Sequence, residues 1–460
     1  MKFLFVILDN DNYIPHFPLG VAYLVSVLKK NSHEVTIFNQ DIHHHSDEKL
    51  TYVLDNSDFD FVGIGTIAGY YSYKKLVGVC KAINQSSKRS KFKVILGGHM
   101  PSAEPEFFLK KTLADIVISG EAENTIVDIA NLEQWNHIKG ISYRIDSECF
   151  TNSPRPLIDN LDSIPIPAYD MFPMSVYRLQ RYPHIKSNEF SASVVSGRGC
   201  SFHCTFCYRI SEGLRIRHPQ AVVDEIKYLQ SRFGISYIDF ADDLTMSSTA
   251  HAEIFCETFL KNNLNIHWRC EGRLNYVNKD VLKLMKKAGC VFINYGIESL
   301  DSQVLINIKK GLNRDIITKG IQTTLDAGIS PGLNFMWGNI GDTAETLNEE
   351  VDFLLKYDNG SQLRTINFVI PFPGCELYSY AIEKGLIKDA EDFYENKHLN
   401  SDLLAVNFTE MTNEDMYTAM YNANSKLLKN YYSNQKEFMI KKAKNLYRDR
   451  DTSFRGWRHT

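Results

Sequence analysis

The chain has 460 residues, 44% apolar and 23% charged, with a formal net charge of −4. This is the composition of a soluble globular protein with room for two or three domains and a sizeable core. It argues against a general nucleic-acid binder, and no apolar stretch approaches the ~20 residues that a bilayer-spanning helix needs. Met1–Leu8 is apolar but runs into Asp9-Asn-Asp11, so it reads as a buried first strand and not as a signal peptide. Apolar runs at Phe3–Leu8, Val35–Asn39, Phe61–Gly65, Val94–Leu96 and Ile116–Ile118 predict buried parallel strands. Amphipathic stretches such as Val21–Lys30 and Tyr73–Ile83 lie between them, so residues 1–138 predict a doubly wound α/β domain. Glycines close several of these strands: Gly63 and Gly65, Gly97 and Gly98, then Gly120. Ligands of such sheets bind at the carboxyl ends of the strands, where glycine allows close approach. Tight turns need the same glycines, and no G-x-G-x-x-G is present. The run His43-His44-His45 reads as a solvated loop, with a metal site as the alternative.

Residues 139–190 form a proline-rich connector. Ser153-Pro-Arg-Pro156 and Ile164-Pro-Ile-Pro167 cannot be helix interior, and Tyr169-Asp-Met-Phe172 is expected to pack between domains. From Ser191 the alternation resumes. Strands are predicted at Ala192–Ser196, Tyr237–Ala241, His267–Glu271, Phe292–Ile297, Leu333–Trp337 and Ile366–Ile370. Helices are predicted at Gln220–Arg232, Thr249–Asn262, Lys279–Lys287, Arg314–Ala327 and Ala344–Tyr357. Six such units over 191–385 suit a partial (β/α)6 barrel, whose functional groups belong at the C-terminal strand ends. Residues 386–460 read as helical. From Lys426 to Arg458 there are ten Lys/Arg against three Asp/Glu. That excess fits a solvated helix and tail, or a lid or patch for an anionic substrate or a reductase.

Just after the first barrel strand stands Cys200-Ser-Phe-His-Cys204-Thr-Phe-Cys207. Three closely spaced thiolates can hold three irons of a [4Fe–4S] cluster and leave the fourth iron open. A structural zinc needs four closed ligands, and here there is one triplet with no second pair. A three-thiolate catalytic zinc stays open as the alternative. Nine cysteines, an odd number, with the six outside the triplet scattered and no signal peptide before them, argue against disulfides and for a reducing cytoplasmic setting.

C-x3-C-x2-C with an aromatic, Phe206, before the last cysteine resembles the radical S-adenosylmethionine enzymes. The resemblance implies that the amino and carboxylate groups of S-adenosylmethionine chelate the open iron. Electron transfer, from a donor such as flavodoxin or ferredoxin, then gives a 5′-deoxyadenosyl radical. Further matches imply a cofactor pocket along the strand ends. Asp242 and Asp243 follow the second barrel strand and match the motif that meets the amino group. Arg273, after the third, would face the carboxylate. Glu298 and Ser299, in Gly296-Ile-Glu-Ser299, match the ribose-contacting region. Asn334 and Asn339 flank the fifth strand, where Gly338-x-x-Gly341-x-x-x-Glu345 resembles the adenine-side motif. Pro371-Phe-Pro-Gly-Cys-Glu-Leu-Tyr378 is similar to the family's P-x-P-G-T-x-L-Y, with Cys375 in place of threonine. Tyr208 and Trp337 are candidate aromatic walls, with core packing as the other reading.

The N-terminal wording, Pro18-Leu-Gly-Val-Ala-Tyr-Leu24, Glu34-Val-Thr-Ile37, Leu96-Gly-Gly-His-Met-Pro101 and Ser119-Gly-Glu-Ala-Glu123, is similar to the cobalamin-binding domain that precedes many of these barrels. It implies a corrinoid held near Gly65, Gly97, Gly98, Gly120 and Glu121. The D-x-H-x-x-G of the best-known cobalamin domains is missing. Together the two resemblances imply a methyltransferase acting on an unactivated carbon of a small-molecule or natural-product substrate, through the deoxyadenosyl radical and methylcobalamin. A cyclase, rearrangement or oxidoreductase reaction without methyl transfer is the alternative, and a corrinoid or iron–sulfur sensor a further one.

Overall fold

The computed structural model describes residues 1–11, 15–131, 134–210, 213–358 and 360–453. Two α/β layers make up the protein. The first is built on β1 (Lys2–Ile7), β2 (Glu34–Asn39), β3 (Phe61–Thr66), β4 (Lys93–Gly98), β5 (Ile116–Ile118), β6 (Ile141–Ile145) and β7 (Glu148–Thr151), in spatial order β2-β1-β3-β4-β5-β6-β7. β1 to β5 are parallel. Successive strand residues point to opposite faces, and helices cover both. Phe3 and Phe5 pack on Val21, Ala22, Val25 and Leu28 of one helix, while Leu4 and Val6 share a core with Leu50, Leu54, Tyr73 and Leu76. That double burial is why the strands read as unbroken apolar runs. The order 2-1-3-4-5 reverses between β1 and β3, which opens a crevice at their carboxyl ends.

β6 and β7 are the main departure from the sequence reading. Residues 139–151, expected to begin the connector, instead extend the first sheet as an antiparallel hairpin. The signal is short: alternation over Ile141–Ile145, then a turn at Asp146, which takes a positive φ of 51°.

The second sheet is parallel and curls into an open half-barrel, in the order β8 (Ser191–Val194), β11 (Tyr237–Phe240), β12 (His267–Gly272), β13 (Cys290–Glu298), β14 (Ser330–Trp337) and β15 (Asn367–Phe368). Its strands and helices follow the predicted runs to within a few residues. A separate antiparallel pair, β9 (Gly197–Cys200) and β10 (Gly213–Ile216), rises from the end of β8.

Three seams join the layers. Tyr169 stacks on Phe17 at 5.1 Å and donates to the buried Glu225 at 2.7 Å, so the Tyr169–Phe172 segment does pack between them. Residues 376–408 return to the first layer, where Tyr394 stacks on Tyr73 at 4.8 Å and Lys111 meets Glu395 at 2.9 Å. The third seam is Glu121, just past β5. It accepts from Arg198 of β9 at 2.9 Å, from Arg215 of β10 at 2.8 Å and from the Ile158 amide at 2.7 Å. Arg198 and Arg215 are register partners across the hairpin, so one carboxylate holds both strands.

Glu121→Gln removes the carboxylate that two half-buried guanidinium groups share, while Glu123 still meets Arg198 at 2.6 Å. We expect a loss of about 2 kcal/mol, read as a lower urea midpoint and faster proteolysis at residues 152–168.

Candidate functional site

The cysteine loop is the connection of the β9–β10 hairpin, with Cys200 as the last residue of β9; residues 211–212 lie outside the described residues. All three cysteines are free thiols. Their sulfurs do not gather within 4.8 Å of one another, whereas one tetrahedral zinc, with Zn–S bonds of about 2.3 Å, draws its sulfurs to about 4 Å. A cubane spreads three thiolates over three irons, so the donor set and its spread fit the cluster better than zinc. Cys375 is no fourth ligand. It is buried, and its Sγ accepts from the Tyr378 amide at 3.4 Å as the cap of helix Glu376–Glu383.

Neighbouring strand ends fix the loop. The Thr205 amide donates to the Ile308 carbonyl at 3.1 Å, and the Leu377 amide donates to the Thr205 carbonyl at 2.9 Å. Arg273, after β12, stacks over Phe202 at 3.5 Å, reaches Cys204 Sγ at 3.6 Å and donates to the Lys310 carbonyl. Its guanidinium therefore frames the loop in this structure. Lys310 pairs with Glu298 at 2.9 Å, both buried, and its ammonium lies 5.8 Å from the Phe206 ring. A bulge near the end of β13 and a positive φ of 71° turn Glu298 toward this lysine.

The other expected residues divide. Asp242 is buried and accepts from the Ser196 and Gly197 amides at 2.7 and 3.1 Å and from the Ser196 hydroxyl. Burial pushes its carboxyl up to about 6, although these donors pull the other way. It locks the turn into the hairpin and presents no free face to a ligand. Asp243 is exposed and, among the described residues, accepts from the Gly199 amide at 3.0 Å, so it is the less engaged carboxylate of the pair. Ser299 is fully buried, and its Oγ accepts from the Asp301 amide at 3.2 Å. Trp337 is core, its indole donating to the Thr343 carbonyl at 3.0 Å. Asn339 is buried in a turn held by Asp342.

Asn334 ends a polar ladder across the half-barrel that sequence reasoning missed. Ser193 donates to Asp239 at 3.1 Å, Asp239 pairs with Arg269 at 2.8 Å, and Arg269 pairs with Glu271. Asn294 then donates to Glu271 at 2.8 Å, and Asn334 to Asn294 at 3.0 Å. Alternate residues of five strands thus give the barrel interior a polar lining.

In the first layer, Gly65, Gly97, Gly98 and Gly120 leave a floor bare of side chains at the ends of β3, β4 and β5. A Cβ on Gly98 (φ +95°) would lie 2.0 Å from the Thr66 carbonyl, while one on Gly120 would meet nothing within 4 Å. This bare floor fits a flat macrocycle. Glu121 beside it is committed to its two arginines. His44, from the histidine run, meets Asp9 at 2.9 Å and, with Asp11, makes a small cluster beside Lys75.

The two faces meet at Tyr208. Its ring lies edge-on to His99 at 5.7 Å, just past β4. A Cβ on Gly374 (φ +94°) would come within 2.5 Å of the same ring. Burial holds the His99 imidazole below its ordinary value, so it is neutral at pH 7. That these two motif residues meet Tyr208 escaped the sequence reading, because nothing local to His99 or Gly374 signals this neighbour.

A doubly wound domain with a bare strand-end floor, set against a half-barrel carrying a three-cysteine loop, defines a two-cofactor radical enzyme. Residues 194–354 match the radical SAM superfamily, and residues 10–130 match the B12 binding domain. The chain is a radical SAM enzyme with an N-terminal B12-binding domain. It is 29% identical to an uncharacterized methyltransferase of Pyrococcus horikoshii, over 84% of each chain. It is 25% identical to the anaerobic magnesium-protoporphyrin IX monomethyl ester cyclase of Rubrivivax gelatinosus, over 82% of this chain and 68% of that one. Among solved structures, the radical S-adenosylmethionine methyltransferase TsrM of Kitasatospora setae, with cobalamin and a [4Fe–4S] cluster bound, superposes with a TM-score of 0.67. That match has 17% identity and covers 83% of this chain and 75% of the other.

Lys310→Met strands Glu298 as a buried, unpaired carboxylate beside the loop. We expect a loss of about 3 kcal/mol and lower iron loading, checked by thermal melting and iron analysis after anaerobic reconstitution.

Proposed function

We propose that this chain is a cobalamin-dependent radical methyltransferase acting on an unactivated carbon of a small-molecule or natural-product substrate. The observation that carries the reading is the Tyr208 contact: the residue after Cys207 packs on His99, beside the glycine floor. The cysteine loop and the floor thus face each other across one aromatic ring. When bound, the cluster with S-adenosylmethionine supplies hydrogen-atom abstraction, and the corrinoid supplies the methyl group. Cys200, Cys204 and Cys207 would ligate the cluster. Asp243 would receive the amino group of S-adenosylmethionine, and Gly65, Gly97, Gly98 and Gly120 would seat the corrinoid.

The chain's own residues do the positioning. Arg273 and Lys310 fix the loop by packing and charge, so ligand geometry is set before substrate arrives. Asn334 and Asn294 offer amide groups to a polar substrate or to the cofactor's adenosine. Tyr208, Phe206 and Phe202 keep the loop's surroundings apolar, which limits water near a reactive radical.

Methyl transfer is favoured by the Pyrococcus horikoshii relative, a methyltransferase matched over most of both chains. The Rubrivivax gelatinosus cyclase supports a second reading, ring formation without methyl transfer. We infer a cytoplasmic setting, consistent with nine free thiols, and an electron donor of the flavodoxin or ferredoxin kind.

Anaerobic reconstitution with iron, sulfide and hydroxocobalamin, then S-adenosylmethionine and a strong reductant, tests the proposal. Methyl transfer predicts about four irons and one cobalt per chain, with both 5′-deoxyadenosine and S-adenosylhomocysteine released. Deoxyadenosine without S-adenosylhomocysteine would favour the cyclase reading, and neither product would favour a sensor. Cys200→Ala, Cys204→Ala and Cys207→Ala should each remain folded and release no deoxyadenosine.

A further inference from the structure

The C-terminal helix spans Asn413–Tyr447, 35 residues. Its path is legible from its partners. Met416 touches Gly338, just past the carboxyl end of β14. Asn424 exchanges hydrogen bonds with Ile366 at 2.9 and 3.0 Å, Lys426 pairs with Asp352 at 2.7 Å, and Asn430 donates to Asp358. Gln435 then donates to the Gly360 carbonyl at 2.6 Å. Asp358 and Gly360 precede β15, at the end of the barrel away from the cysteine loop. The helix therefore starts on the cofactor face and runs about 28 Å down the barrel wall before its last contact.

Beyond Gln435 it leaves the body. Among the described residues, no side chain past this point pairs with another element; Lys442 rests over Phe438 of the same helix at 4.4 Å. The protruding turns are not uniformly polar. At 3.6 residues per turn, Tyr432, Met439, Ile440, Ala443, Leu446 and Tyr447 fall within an arc of about 120°. Tyr432, Ile440 and Tyr447 are 61, 58 and 71% exposed. Lys441, Lys442, Lys444 and Arg448 share the rest of the circumference with Glu437, Phe438 and Asn445, and Lys436 lies within the stripe. From 436 to 448 there are five basic residues and one acidic, Glu437. The sequence continues with Phe454, Arg455, Trp457 and Arg458, which lie outside the described residues.

The helix's course removes the readings of this charge that need the active site. A lid, a substrate patch or a reductase dock must lie near the cysteine loop, and the segment projects from the opposite end. A second copy is disfavoured: about two heptads are too few for a stable coiled coil, and two such helices would set like charges together. What fits an apolar stripe flanked by lysines, on a free helix, is a surface with a greasy interior and an anionic skin.

We propose that residues 432–448 lie in the headgroup plane of an anionic membrane and tether the enzyme to it without crossing it. The stripe enters the acyl boundary, Lys436 extends its stem to the phosphates, and the other basic residues meet the surface charge. No helix among the described residues is long and apolar enough to span, so the attachment is peripheral and salt-sensitive.

Flotation of the full chain with vesicles tests this. One set is phosphatidylcholine alone, and the other contains about 30% phosphatidylglycerol, each at about 0.1 and 0.5 M salt. We expect binding to the anionic set at low salt only. Ile440→Asp should weaken it at least tenfold, as should the triple variant Lys441→Glu, Lys442→Glu, Lys444→Glu, at about fivefold per charge. Ile440, Lys441 and Lys444 are exposed and Lys442 rests over Phe438 of the same helix, so thermal midpoints should not move. Absence of flotation, or equal flotation of wild type and both variants, overturns the proposal. So does a dimer seen by light scattering, lost in Ile440→Asp and unaccompanied by vesicle binding, which would give the stripe to a second copy. Deoxyadenosine formation in detergent-free solution should be the same for all variants, which separates this test from that of the catalytic reading.

Discussion

Arg198 and Arg215 face each other across a short hairpin, half-buried, with like charges that would splay the strands apart. Glu121 prevents this. It comes from the other α/β layer, and both its oxygens are engaged by the two guanidinium groups. One Arg215 nitrogen bridges both oxygens and Arg198 adds a bond to one of them, charge-assisted contacts in a partly desolvated setting. Without it the hairpin, a two-stranded ribbon that is marginal alone in water, would keep its anchors to the barrel but lose this tie to the other layer. With it, the loop is built from the barrel but oriented by the neighbouring layer. The relative placement of the two cofactor faces thus depends on a charge balance, not on a covalent or purely apolar joint.

The same logic recurs around the loop. Charged groups appear in matched sets: Lys310 with Glu298 and Arg217 with Glu225, all buried, and the half-buried Arg269 with Asp239 and Glu271. Each is costly to bury and more costly to break. They are spent where position matters more than net stability, at the strand ends and within the half-barrel. The outer faces of the same strands are filled by Trp268, Cys270, Ile293 and Tyr295, so rigidity comes from one side and polarity from the other.

Much of this was legible in the sequence. Phe3–Leu8 and Tyr237–Ala241 declare themselves as strands because both faces are buried, and that writes a continuous apolar run. Cys200, Cys204 and Cys207 declare their chemistry because three ligands on one loop must be close in sequence. Partner choice was not legible. Asp242 and Asp243 are adjacent and chemically identical, yet one is locked under the Ser196 turn and the other is exposed. The contacts of Arg273 were not legible because its neighbours in space, Phe202 and Lys310, are remote in the chain. Nor was the clamp at Glu121, whose partners Arg198 and Arg215 belong to the other layer. The β6–β7 hairpin was lost because a turn at Asp146 between two short strands is a weak signal beside the prolines that follow.

The Tyr73–Tyr394 stack has a consequence for how the chain comes to be folded. The Tyr73 hydroxyl meets Glu395, 322 residues further on, and Phe107, Phe108 and Tyr394 share that patch. During synthesis the first layer emerges complete in its strands but with this aromatic surface bare. It stays so until most of the barrel has been made. For that interval the nascent domain carries an exposed apolar patch of the kind that attracts other chains. Closure over so long a loop is also slow relative to local folding. The first layer, the opening third of the chain, is thus finished only when the polypeptide's last quarter returns to cover it.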